Sequence, residues 1–184
     1  LSIDGDDTEH FEIGDGDPIV CGDYKKQDCE RAVAILGHSS GAVSLVEEHT
    51  EELQDDNPIV SSWQAPIIEE SSAVCCILVP DIGSEFITAY ENGFIRSNYG
   101  WRYDAQSAVS AMAVGPFGDE GTGQTYWACA GKRVLVLSSS DTAGDVDISG
   151  DSGGQLILEL EHECCLIGSD SEGDTIVLGD ERGG

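Results

Sequence analysis

One short motif recurs along this chain, and it limits the possible folds more than any other feature. A strand of small apolar residues enters a tight polar turn holding glycine, and a second apolar strand follows. Residues 86–97 read FITAYENGFIRS, with Asn92-Gly93 at the turn. Residues 31–46 read RAVAILGHSSGAVSLV, 126–137 read YWACAGKRVLVL, and 175–184 read TIVLGDERGG. Short β-prone runs joined by glycine-bearing turns are hairpin signals. The turn glycines Gly41, Gly93, Gly131 and Gly183 are 52, 38 and 52 residues apart. That spacing falls in the range of repeat architectures.

A further strand precedes three of these hairpins. Residues 73–79 read AVCCILV, 108–114 read AVSAMAV, and 163–168 read ECCLIG. Cys76 to Gly93 is 17 residues and Cys165 to Gly183 is 18, so the double cysteine is expected at one phase of a tightly packed inner strand. A fourth strand is expected at 59–64 (IVSSWQ), 100–104 (GWRYD) and 155–161 (QLILELE). The last alternates apolar and polar residues, as a half-buried edge strand does. Inner strand, hairpin of two and outer strand make four antiparallel strands, the unit of a propeller blade. A β-sandwich shares the short strands and turns, but the matched spacings favour blades. The expected fold is all-β: a propeller segment of four-stranded antiparallel blades in an incomplete ring, since about four hairpins are present and the last lacks its second strand.

Residues 89–96 (AYENGFIR) resemble the hairpin between the second and third strands of WD40 repeats. In that family an Asp-Gly pair commonly fills the turn; here Asn92-Gly93 takes its place. The chain departs from the family elsewhere. It has no Trp-Asp dipeptide, and Gly37-His38 falls in a hairpin turn rather than before an inner strand. Ser40 and Arg182 stand where the turn acid would be. The chain is read as a divergent WD40-like propeller. The resemblance implies a subunit of a multiprotein assembly.

Residues 1–17 read as an acidic N-terminal segment, and 18–184 as the partial propeller. Two loops are expected to be flexible and acidic, 47–58 (EEHTEELQDDNP) and the low-complexity 138–154 (SSSDTAGDVDISGDSGG). A glycine-rich insertion is expected at 115–124. The chain opens on Leu1 and closes within a turn, and is read as a piece of a longer polypeptide. The rest of the ring is expected from that longer chain or from a partner subunit.

Asp and Glu total 36 against 8 Lys and Arg, a net charge of −28. Phosphate recognition needs clustered Lys and Arg, so direct nucleic-acid or anionic-membrane binding is not expected. A basic protein is the favoured partner. Seven cysteines, Cys21, Cys29, Cys75, Cys76, Cys129, Cys164 and Cys165, include no C-x-x-C pair. They read as reduced, small, mostly buried core residues of an intracellular protein, cytoplasmic or nuclear. The longest apolar run, 73–80, falls far short of the roughly 18–20 residues that span a bilayer.

No set of residues assembles into catalytic chemistry at this level. Asp4-Gly5-Asp6-Asp7, Asp15-Gly16-Asp17 and Asp145-Val146-Asp147 look like fragments of calcium loops but lack the alternating oxygen ligands and closing Glu. His10, His38, His49 and His162 are scattered. His38 beside Ser39 and Ser40 lacks a nucleophile elbow. Gly118 to Gly123 lacks the Lys-Ser/Thr ending of a phosphate loop. Trp63, Trp101 and Trp127 sit on expected strands and read as core or blade-to-blade packing. The expected function is a non-catalytic interaction scaffold without cofactor or metal. Its partner surface is expected at the hairpin-turn residues Ser39, Glu91, Asn92, Lys132, Arg133 and Glu181. The alternative is a propeller holding a cation or small ligand, as an enzyme or calcium-binding module.

Overall fold

Small apolar residues at period two, broken by glycine turns, fold here into fourteen β-strands with no helix among the described residues. The computed structural model describes residues 16–26, 31–49, 59–64, 72–80, 85–117, 124–138, 155–170 and 175–182. Strands β1 (Ile19–Lys26), β2 (Arg31–His38), β3 (Ala42–His49) and β4 (Ile59–Gln64) form the first sheet in that order. The second holds β5 (Val74–Leu78), β6 (Ile87–Tyr90), β7 (Phe94–Ser97) and β8 (Arg102–Asp104). The third holds β9 (Val109–Phe117), β10 (Gln124–Ala130), β11 (Arg133–Ser138) and β12 (Gln155–Glu159). The fourth pairs β13 (Cys164–Ser169) with β14 (Ile176–Asp180). Every pairing is antiparallel between strands consecutive in sequence.

The first strand of each sheet carries the same irregularity. Its opening residue pairs with the last residue before the hairpin turn: Ile19 with His38, Val74 with Tyr90, Val109 with Ala130, Cys164 with Asp180. One residue then drops out of the ladder, namely Val20, Cys75, Ser110 and Cys165. These are β-bulges, each adding a residue and a local twist. They correct the expected phase of the double cysteines. Cys75 and Cys165 are the equivalent pair, so Cys164 matches Val74 and Leu166 matches Cys76. The spacings of 17 and 18 differ because the repeat is offset by that one residue.

Successive first strands lie against one another, β1 on β5, β5 on β9 and β9 on β13. Three apolar clusters fill the spaces between sheets. Val33, Ile35 and Val43 meet Val74, Ile77, Phe86 and Tyr90 between the first and second. Ile87, Ala89, Ile95 and Ala105 meet Val109, Met112, Tyr126, Ala128, Leu135 and Leu137 between the second and third. Ala113, Cys129 and Val134 meet Cys164 and Ile167 between the third and fourth. Neighbouring residues on one strand serve opposite clusters, as alternation requires: Ala128 faces the second sheet and Cys129 the fourth. Each fully buried Ile, Leu or Val contributes about 1.5–3 kcal/mol.

Several boundaries move. Glu47, Glu48 and His49 continue β3, paired to β2, rather than opening a loop. Ser138 closes β11 opposite Thr125. Gly115 to Phe117 extend β9, and Gln124 already pairs with Phe117, so only 118–123 of the expected insertion lie outside the described residues. Segments 1–15, 50–58 and 139–154 also lie outside them. Gly37 and His38 close β2 rather than forming the turn. β12 is not half-buried: Leu156, Ile157 and Leu158 are 51%, 48% and 45% exposed, because no further sheet covers either side of this outer strand among the described residues. Cys129 and Cys164 are buried, Cys21, Cys75 and Cys76 partly so, and Cys165 is exposed.

Gly37 packs directly against the first strand of the second sheet. A Cβ there would lie 2.5 Å from Val74 Cγ1 and 2.8 Å from Cys21 Sγ. Val74 is a stiff, buried residue that cannot swing aside. Gly37→Ala is therefore expected to destabilise the fold by about 1–3 kcal/mol through overpacking. An unchanged urea midpoint would contradict this.

Candidate functional site

The hairpin turns joining second to third strands all lie at the same end of their sheets, and their sequences set their shapes. Ser39-Ser40-Gly41 and Glu91-Asn92-Gly93 are three-residue loops. Their glycines adopt φ of 89° and 93°, the left-handed region that side chains avoid. Gly41 N–H donates to His38 O at 3.1 Å and Gly93 N–H to Tyr90 O at 2.9 Å. This is the turn-plus-αL pattern of three-residue hairpins. Between β10 and β11 the loop is only Gly131-Lys132, with glycine in the first central position as a type II′ turn demands.

Three of the turns are anchored to the start of their own sheet. Ser39 N–H donates to Pro18 O at 3.0 Å, Glu91 N–H to Ala73 O at 3.0 Å, and Glu181 N–H to Glu163 O at 3.2 Å. Each acceptor immediately precedes a first strand. Side chains add further ties. Asn92 N–H donates to Ser72 Oγ at 3.1 Å, and Asn92 Oδ1 accepts from Phe94 N–H at 3.2 Å. Lys132 Nζ donates to Glu161 O at 2.8 Å. Arg133 donates to Ala105 O and, at 3.4 Å, to Ser107 Oγ, reaching the segment between β8 and β9. Glu91, Lys132, Glu181 and Ser39 are exposed, while Asn92 and Arg133 are half-buried. Of the expected surface residues, Ser39, Glu91, Asn92, Lys132 and Glu181 lie in equivalent turns, whereas Arg133 opens β11, paired to Ala130, rather than sitting in its turn. Four of them, Ser39, Asn92, Lys132 and Arg133, also use their side chains to hold the turns in place.

The first turn holds a polar cluster that sequence reading missed. Asp17, assigned to the acidic tail, accepts from Ser39 Oγ at 2.8 Å, from Ser40 Oγ, and from Ser40 N–H at 3.3 Å. These donors favour the ionised carboxylate. Ser40 foremost, then Ser39, hold the Asp17 carboxyl below the usual 3.8. His38 Nδ1 lies 3.2 Å from Asp17 O, and His38 Nε2 lies 2.8 Å from Ser44 Oγ. This Ser–His–Asp series resembles a hydrolytic triad in residue types alone. His38 is 2% and Ser44 5% exposed, so no substrate can reach the hydroxyl, and the Asp17 carboxylate stands 4.0 Å from the imidazole. It ties β2, β3 and the approach to β1 together. The available signal was the acceptor need of two adjacent turn serines.

A buried carboxylate was also missed. Glu85, 8% exposed, accepts from Ser97 Oγ at 2.6 Å, Trp101 Nε1 at 2.8 Å and Tyr126 Oη. Trp101 stacks on Tyr126 with ring centroids 6.1 Å apart, so this tryptophan packs between sheets as expected. Three donors occupy the carboxylate, which suits a structural joint rather than proton transfer. The described residues include no group of three or more His, Cys, Asp or Glu placed to hold a metal. An open cavity of about 260 Å³ lies between the β12–β13 connection and β14, lined by Leu160, Glu161, His162, Leu178, Gly179 and Asp180.

No family model matches the chain, and no curated protein matches its sequence. Among solved structures, the crystal structure of BBS1N in complex with ARL6DN, soaked with mercury, is similar at a TM-score of 0.60 and 8% identity. The match covers 93% of this chain and 51% of that one, so the chain spans about half the length of this neighbour. BBS1N is a β-propeller. At this identity the likeness is one of fold, and it shows the sheets to be propeller-like blades without a closed ring.

Two measurements test these joints. Asp17 has a depressed carboxyl pKa in the fold, so its contribution is present above the ordinary 3.8 and is lost as pH falls through the lowered value. Asp17→Asn is expected to flatten the acid limb of the stability-against-pH curve below about pH 4, and an identical limb would overturn the assignment. Tyr126→Phe removes one donor from Glu85 and is expected to cost about 1–2 kcal/mol in chemical denaturation. Equal stability would show that the bond contributes nothing.

Proposed function

We propose that this chain is a non-catalytic protein–protein interaction scaffold, a divergent WD40-like propeller segment working as a subunit of a larger intracellular assembly, in cytoplasm or nucleus. One observation carries this reading: equivalent turns recur at one end of successive sheets, each fixed by backbone and side-chain bonds. A row of fixed, solvent-facing turns suits binding, because little order has to be imposed on contact. Supporting it, a neighbour of like fold was crystallised in a protein complex.

The contact residues on this reading are Ser39, Glu91, Asn92, Lys132, Arg133 and Glu181. Glu91 and Glu181 are the most available, being exposed acids at the turn tips. With a net charge of −28, the surface favours a basic protein partner. The remainder of the ring comes from the same longer polypeptide or from a partner subunit.

The test is capture of partners from the source cell's own extract at moderate salt, read by mass spectrometry. One stoichiometric protein assembly is expected on the wild-type chain. Glu91→Lys with Glu181→Lys should lower its recovery at least about tenfold, the effect of losing ~1.4 kcal/mol of binding, without altering the circular dichroism spectrum. Recovery of the chain alone, carrying a metal or small molecule, would overturn the reading.

A further inference from the structure

Cys129 lies on β10 and Cys164 opens β13, so the two belong to successive sheets. They are 35 residues apart in sequence, yet their Sγ atoms are 2.7 Å apart. Carbon atoms in non-bonded contact rest about 3.5–4.0 Å apart, and sulfur is larger than carbon. The two thiols are therefore closer than packing alone explains, and a covalent S–S bond of about 2.05 Å is a short movement away. Both side chains are buried in the cluster joining the third and fourth sheets, at 0% and 2% exposure. Cys165 next door points elsewhere: it is exposed, and its thiol donates to Gly179 O at 3.4 Å.

We propose that Cys129 and Cys164 are an oxidative modification site, forming a disulfide that fastens the fourth sheet to the third, with a low-molecular-weight disulfide such as oxidised glutathione as the oxidant. One thiol gives up its proton, and its thiolate attacks a sulfur of the oxidant. This forms a mixed disulfide and releases one glutathione thiolate, which takes up the proton. The second cysteine, as thiolate, attacks the protein sulfur of that mixed disulfide and releases the second glutathione. Two protein thiols are oxidised and one glutathione disulfide is reduced to two thiols.

The fold controls access to this step. Burial pushes the Cys129 thiol well above its ordinary range, and thiolate is the reactive form, so the pair is inert while the sheets are closed. The fourth sheet has only two described strands, and Leu166 and Val177 on it are 60% and 67% exposed. Two-stranded hairpins are marginal alone, and thinly packed elements open first. Opening of β13–β14 brings Cys164 to solvent, and reclosing returns it to Cys129.

The experiment incubates the full chain with oxidised glutathione, quenches in guanidinium with N-ethylmaleimide, and maps unreduced peptides by mass spectrometry. The expected product is a peptide pair joining Cys129 to Cys164 that disappears with dithiothreitol. The oxidised chain should also resist cleavage within 155–182 at least about threefold longer than the reduced chain, as a blocked local opening requires. Recovery of both cysteines as N-ethylmaleimide or glutathione adducts, or a bond from Cys164 to Cys165, would overturn the proposal. So would oxidant-dependent protection that persists in Cys164→Ser.

Discussion

The bulge one step inside each first strand decides how neighbouring sheets meet. In the second and third sheets it turns a small side chain out of its own ladder and toward the next sheet. Cys75 Sγ donates to Val109 O at 3.0 Å, and Ser110 Oγ donates to Cys164 O. Each acceptor is the ladder residue just before the next bulge, so one junction prepares the next. In the first sheet Val20 occupies the bulge and has no donor; the neighbouring Cys21 Sγ reaches Val74 O instead, at 3.8 Å. Cys75 and Ser110 are small side chains with a donor, which suits first strands that run closely side by side. Cysteine meets both conditions as a small apolar residue with a weak S–H donor.

Close first strands have consequences farther out. They bring the faces of successive sheets into contact, so the two middle sheets must be apolar on both sides. That explains Ile87 and Tyr90 of β6 lying in different clusters within one short strand. The outer sheets lack this constraint. Ile19, Val20 and Tyr24 on β1, and Leu166 and Val177 on the fourth sheet, stay half or more exposed. Polar ties reinforce the first junction at the end away from the turns, where Lys25 Nζ donates to Pro80 O at 2.6 Å and Asp23 accepts from Val79 N–H at 2.7 Å. Lys25 is 9% exposed, so the carbonyl it meets offsets part of the cost of burying its charge.

Local patterning made the strands legible in sequence. Gly93 marked its turn because only glycine suits φ of 93° there, and small apolar runs marked the first strands. Two kinds of feature were not legible. The bulges change register without changing composition, so Cys75 and Cys164 looked equivalent although the ladders place them one residue apart. The polar joints depend on contacts distant in sequence. Glu85 and Tyr126 are separated by 41 residues, and Asp17 and Ser39 by 22. A carboxylate that serves such a joint has the same local sequence context as one facing water, and in a chain with 36 acids nothing local distinguishes it. Asn92 and Lys132 were found by position as turn residues, and Arg133 as the residue that follows its turn, but their anchoring contacts were hidden for the same reason.

Those anchors bear directly on what the turn face can do. A loop that must order itself on contact gives up part of its binding energy to lost conformational freedom. Here Gly93 O already accepts from Ala105 N–H at 2.9 Å, Gly131 O from Cys164 N–H at 3.0 Å, and Lys132 O from Leu160 N–H at 2.8 Å. The second and third turns are thereby held by the chain entering or leaving a neighbouring strand. The exposed tips Glu91 and Glu181 stand on backbone that has little freedom left to lose. The buried Glu85 carboxylate, by contrast, has its donors supplied from within. Polar chemistry in this protein is divided accordingly: acceptors with full partner sets join the sheets, and charged tips on anchored turns face outward. That division leaves the interior of the blades to hold the turns in register.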